Sequence, residues 1–136
     1  MSVSLVTAET LPVVWEQFRP KIQEALSGGM GDHYSEAYYY QEVLSGRMMM
    51  WAMHESEIMA VGIVSVNEFP IGKSLFIELL AGSQLDTWLD EVEPLLKEYA
   101  RQIGATTIEA SCRPGLVKKL KNWRQVAILM RLDHGR

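Results

Sequence analysis

Apolar residues recur at spacings of three and four in two long stretches. Leu11, Val14, Trp15, Phe18, Ile22 and Leu26 fall on one helical face. Leu85, Trp88, Leu89, Val92, Leu95, Leu96, Tyr99 and Ile103 form a second stripe. Thr10 stands at the N-cap position of the first helix and Pro12 in its first turn, where a missing N–H costs little. Pro20 should kink or split that helix, and Pro94 should bend the second. Ser27-Gly28-Gly29-Met30-Gly31 reads as a helix stop. Asp32-His33-Tyr34-Ser35 opens a short helix through Tyr38-Tyr39-Tyr40 to Leu44, ended by Ser45-Gly46. Three successive Tyr cannot share one face, because neighbours are about 100° apart. At least one therefore reaches a surface or a cleft.

The remaining runs read as strands. They cover residues 3–6, 48–54, 58–66, 73–80, 106–110 and 126–132. The run at 58–66 is continuous, as expected of a strand buried on both faces. The strands at 48–54, 58–66 and 73–80 are joined by polar or Pro/Gly turns and predict an antiparallel meander. Ala81-Gly82-Ser83-Gln84 is the turn into the second stripe, and Gly104 stops that helix. Residues 116–120 allow at most two helical turns before the last strand.

At 136 residues the chain fits a single domain, 1–136, with room for a sizeable core. A net charge of −4 argues against general nucleic-acid binding, which needs a basic face. Arg113, Lys118, Lys119, Lys121 and Arg124 form a local basic cluster that suits a phosphate, an acidic partner or solvent alone. The one cysteine, Cys112, cannot form an internal disulfide, so a reducing compartment is expected. No apolar run approaches the ~20 residues of a spanning helix, and no charged n-region precedes an apolar core at the N-terminus. The expectation is a soluble cytoplasmic protein with no membrane contact. His33, His54 and His134 lack metal-ligand spacing, so no metal site is expected.

The element order, βααβββαβαβ, and the segment Cys112-Arg113-Pro114-Gly115-Leu116-Val117-Lys118-Lys119-Leu120 with Trp123-Arg124 carry a resemblance. The chain resembles the GNAT superfamily of acetyl-CoA-dependent N-acyltransferases, and within it the small GNAT-like proteins of tailed bacteriophages. Trp88 and Ser45-Gly46-Arg47 are similar to that group too. The resemblance implies an α+β mixed sheet. It also implies acetyl-CoA as cofactor and a small-molecule amine as acceptor if the chain is enzymatic. In the phage setting it implies the host cytoplasm and incorporation in the virion.

Such enzymes hold the cofactor pyrophosphate on a Gln/Arg-x-x-Gly-x-Gly/Ala loop after the fourth strand. Here Leu80, Gly82, Ser83 and Gln84 occupy that place, with one Gly, no basic residue and too few positions. Asp86 would oppose a phosphate at the helix start. The loop reads as a structural turn in preference to a cofactor cradle. Glu78 lies where the resemblance implies a general base, and Glu109 is a weaker match. The family's last-helix Tyr has no counterpart within residues 116–123. Cys112 has no His near it in sequence to act as base, so a structural role is expected. Two functions follow. The favoured one is a binding or assembly protein, with the Tyr cluster and Met48-Met49-Met50 as contact surface and a protein partner or self-association. The other is an N-acetyltransferase using the Gly82 and Ser83 amides.

Overall fold

The structure is a computed structural model. It describes residues 2–27, 33–55, 57–83, 85–112, 117–118 and 120–135, with backbone only for 85–87. In chain order the elements are β1 (Ser2–Leu5), α1 (Leu11–Leu26), α2 (Glu36–Leu44), β2 (Met49–His54), β3 (Ile58–Glu68), β4 (Lys73–Gly82), α3 (Leu85–Ile103) and β5 (Thr107–Ala110). The strands form one sheet in the order β1-β2-β3-β4-β5. Pairing is antiparallel from β1 to β4, and the α3 crossover makes β5 parallel to β4. The expected meander is therefore present. β4 runs two residues past the expected end at Leu80.

Each face of the sheet carries its own core. α1 and α2 cover one face, where Leu11, Trp15, Ile22, Met50, Ile63 and Leu79 are buried. α3 covers the other through Leu96 and Ala100, against Val64, Leu75 and Ile77. α1 stays one helix through Pro20. The apolar stripe packed along it outweighs the one backbone bond that the proline removes. Met48 and Met50 are core residues, and Met49 packs partly buried on the α3 side. This removes the expected methionine contact surface. Strand alternation sends Met50 inward on one face and Met49 on the other.

Two polar ties fix the helices. Ser35 caps α2 by accepting the Tyr38 N–H at 3.1 Å. Glu36, the next residue, accepts from Trp15 Nε1 at 2.8 Å, Arg19 Nε at 2.7 Å and Gln23 Nε2 at 3.2 Å, binding α2 to α1. Burial alone would raise the Glu36 pKa. The donors Trp15, Gln23 and Arg19 and the Arg19 charge outweigh it and hold the pKa lowered. On the other face, the Lys73 ammonium donates to the Ile103 carbonyl at 3.1 Å, placing a cation at the α3 C-terminus.

The expected strand at 126–132 is not formed. Residues 123–135 carry no sheet pairing, and Val126, Ile128, Leu129, Met130 and Leu132 are 65% to 93% exposed. Strand propensity is realised only where an edge accepts the ladder. Here Trp123 instead donates its Nε1 proton to Glu93 of α3 at 2.7 Å, and Arg131 lies 2.8 Å from His33, ahead of α2. The segment thus passes from the α3 face to the α2 side with its apolar side chains outward. The expected helix at 116–120 is described only at 117, 118 and 120, and the Gly-rich stretch 28–31 lies wholly outside the described residues.

Gly82 has φ +133°, and a Cβ there would lie 2.5 Å from the Met59 carbonyl oxygen and 2.6 Å from Ala60 Cα. Gly82→Ala should cost at least about 3 kcal/mol, read as a lower denaturant midpoint with unchanged slope. Glu36→Ala strands the Trp15 indole N–H and should cost about 1–3 kcal/mol. Because the Glu36 pKa is depressed on folding, its contribution is present above the ordinary value of 4.5 and is lost as pH falls through the folded value. The wild-type and Glu36→Ala unfolding curves should therefore converge in acid.

Candidate functional site

The site begins with one extra residue in β4. Ile63 pairs with Leu79, and the next residue of β3, Val64, pairs with Ile77, so Glu78 has no partner across the ladder. This is a β-bulge, a device that re-aims side chains within a strand. Before it, Leu75 and Ile77 pack on the α3 side. After it, Leu79 and Ala81 pack under α1. Glu78 lies on the α1/α2 face, partly buried, and accepts a hydrogen bond from Ser65 Oγ at 3.0 Å.

Three tyrosines gather on the same side. Tyr39 is 4% exposed and meets Tyr38 edge-on at 5.2 Å, and Tyr34 lies 5.5 Å from Tyr38 and 5.9 Å from Tyr39. The expected division within Tyr38-Tyr39-Tyr40 holds, with Tyr39 buried, Tyr40 partly buried and Tyr38 reaching solvent, as Tyr34 does. Burial raises the Glu78 carboxyl above its ordinary pKa, against the lowering effect of the Ser65 hydroxyl. Burial, then the charge of Glu78, pushes the Tyr39 phenol far above its usual range. Burial and the charges of Glu42 and Glu78 do the same to Tyr38 in smaller measure. The arrangement holds a carboxylate more basic than usual beside phenols that keep their protons. It can accept a proton or a donor from a bound group, and the two phenols are poor acids at neutral pH.

The β4–β5 pairing ends at Ile77 and Ala110, while β4 continues to Gly82. From Glu78 onward, that edge of β4 has no strand beside it among the described residues. Glu109 pairs with Phe76 and so shares the face of Glu78, at partial burial. Leu80 is on the opposite face, packed on the α3 side. Gly82 pairs with Ala60. Ser83 donates its amide proton to the Met59 carbonyl at 3.3 Å. α3 begins at Leu85, and Gln84 lies outside the described residues. The structure thus brings Glu78 and Glu109 to one face and separates Leu80 from them. Of the basic cluster, Lys118, Lys121 and Arg124 are exposed, while Arg113 and Lys119 lie outside the described residues. Cys112 is a partly buried free thiol.

Ser65 is the functional neighbour that sequence reasoning missed. Its signal was available: a lone hydroxyl near the end of an otherwise apolar run must find a partner when buried, and it is 9% exposed.

Because the Glu78 pKa is raised on folding, its ionisation weakens the fold as pH rises through that pKa. Glu78→Gln should therefore be more stable than wild type at neutral pH. The gap should close below the ordinary carboxylate value of 4.5, in thermal unfolding followed across pH.

No family model matches the sequence, and no curated protein matches it. Solved structures do match in fold. A probable acetyltransferase superposes with a TM-score of 0.71 at 12% identity, covering 100% of this chain and 98% of that one. A predicted acetyltransferase from Clostridium acetobutylicum, solved with acetyl-CoA, gives 0.70 at 10% identity over 97% and 95% of the two chains. The glucosamine-6-phosphate N-acetyltransferase of Arabidopsis thaliana gives 0.60 at 15% identity over 98% of both. The chain has the GNAT fold.

Proposed function

We propose that this chain is a GNAT-fold binding and assembly protein whose cofactor turn has been taken into the sheet. The observation that carries this reading is the end of β4. Gly82 is pressed against Ala60, the Ser83 amide is given to Met59, and α3 starts two residues later. A pyrophosphate needs several free amides converging at a helix N-terminus. The Ser83 amide is not free for one, and the sequence adds a carboxylate, Asp86, in the first helical turn.

The exposed apolar side chains of 126–132 supply the association surface. An exposed segment of high strand propensity is suited to β-augmentation on an open sheet edge. Among the described residues β5 ends the sheet, and a second copy of this chain presents the same edge. In the phage setting of the sequence resemblance, such a module would be carried in the virion. Glu78 favours a second reading, an N-acetyltransferase acting on a small-molecule amine, since a partly buried carboxylate with a raised pKa is suited to a general base.

Calorimetric titration with acetyl-CoA and with free coenzyme A should give no saturable heat at millimolar ligand. Sedimentation velocity should show self-association at tens of micromolar protein, lost in the Ile128→Glu/Met130→Glu variant, whose folding is unaffected because both sites are exposed. Saturable acetyl-CoA binding at tens of micromolar, with amine acetylation abolished by Glu78→Gln, would establish the second reading instead. A monomer at every concentration would overturn the proposed self-association.

A further inference from the structure

Self-association through 126–132 needs an edge to receive the segment, and among the described residues the sheet has two, β5 and β1. β5 offers little apolar surface to an added strand. Ile108 and Ala110 already pack into the core under α3, where Trp123 joins them. Thr107 and Glu109 put polar side chains on the other face.

β1 differs. Val6, just past it, donates its N–H to the Met50 carbonyl at 2.8 Å. Antiparallel pairs alternate between bonded and non-bonded, so Ser4 and Ala52 are a bonded pair, while Val3 with Met53 and Leu5 with Trp51 are not. The backbone N–H and C=O groups of Val3 and Leu5 therefore point out of the sheet, where no described strand meets them. Ser2-Val3-Ser4-Leu5 holds none of the Lys or Pro that blunt a free edge, and its register with β2 runs without a bulge.

Beside this edge lies uncovered apolar surface. Val3, Trp51, Leu95 and Tyr99 help to wall an apolar groove between α3 and the sheet. Leu95 is 50% exposed, and Leu5, on the same face as Val3, is 49% exposed. A matching strand exists on the same chain. Val126, Ile128, Met130 and Leu132 alternate, so in an extended strand all four fall on one face. The charges match as well. The sequence from Ala110 to Leu132 has six cations and no carboxylate. α3 has five carboxylates and two cations, and its exposed Glu91 stands one turn from both Trp88 and Leu95.

We propose that β1 is the acceptor edge. The 126–132 segment of a second copy pairs with β1 and lays its apolar face beside Val3 and Leu5, at the mouth of the α3 groove. This rests on the self-association proposed above and names the surface that it uses. Donor segment and acceptor edge are separate surfaces, so each copy gives one strand and takes one.

The test is amide exchange of the whole ¹⁵N-labelled chain, at a dilution where it is monomeric and at a concentration where sedimentation velocity shows association. The Val3 and Leu5 amides should exchange at least about tenfold more slowly in the associated protein, while the amides of residues 107–110 exchange alike in both. Leu5→Pro removes an outward N–H and leaves the β1–β2 bonds in place, so it should abolish association with the thermal midpoint nearly unchanged. If that variant does not fold, the wild-type exchange pattern decides alone. Protection at residues 107–110 in place of Val3 and Leu5, or a folded Leu5→Pro that associates as wild type does, overturns the proposal and leaves self-association standing. A chain that is monomeric at every concentration overturns both.

Discussion

The extra residue at Glu78 is the constraint on which this architecture turns. A regular strand would keep Leu75, Ile77, Leu79 and Ala81 on one face. The bulge lets Leu75 and Ile77 complete the α3 core and Leu79 and Ala81 complete the α1 core. One strand therefore holds two cores together. The same irregularity coincides with the point where β5 parts from β4, and it presents a carboxylate at the opening. Packing and site chemistry are consequences of a single inserted position.

Periodicity made most of this fold legible. The α1 and α3 stripes, the short α2 ending at Leu44, the buried run of β3 and the short crossover to β5 each satisfy a local rule, and each is present, whereas the expected cap Thr10 makes no side-chain capping bond. The bulge was not legible. Along 73–82 apolar residues occur on both sides of Glu78, so the strand reads as buried on both faces with or without a slip. Only the β3 register reveals which residue is unpaired. The segment 126–132 misled for the opposite reason. Its composition is that of a strand, but a ladder needs a second edge, and the segment is tied instead to Glu93 of α3 through Trp123 and to His33 through Arg131.

The candidate site was half legible. Glu78 stood out by position, and one tyrosine was expected to reach a surface. What makes Glu78 unusual is its surroundings: the Ser65 hydroxyl, and a buried phenol thirty-nine positions earlier in the chain at Tyr39. Such long-range neighbours leave no trace in local spacing. The turn after β4 differs again. A single glycine looks permissive on the page, whereas in the folded chain Gly82 lies against the β3 backbone with no room for a Cβ.

That close approach limits what the turn can become. Loops at sheet ends usually tolerate insertions, because their cost grows slowly with length. Here the residues just before α3 are held by β3, so a loop that uses the Gly82 and Ser83 amides must first unzip the end of the β3–β4 ladder and uncover Ala60 and Met59. A phosphate-holding loop built on those two amides therefore cannot be made on this chain by adding residues alone. The neighbouring strand would have to be redesigned with it, and the two forms of the fold are separated by a cooperative change, not a graded one.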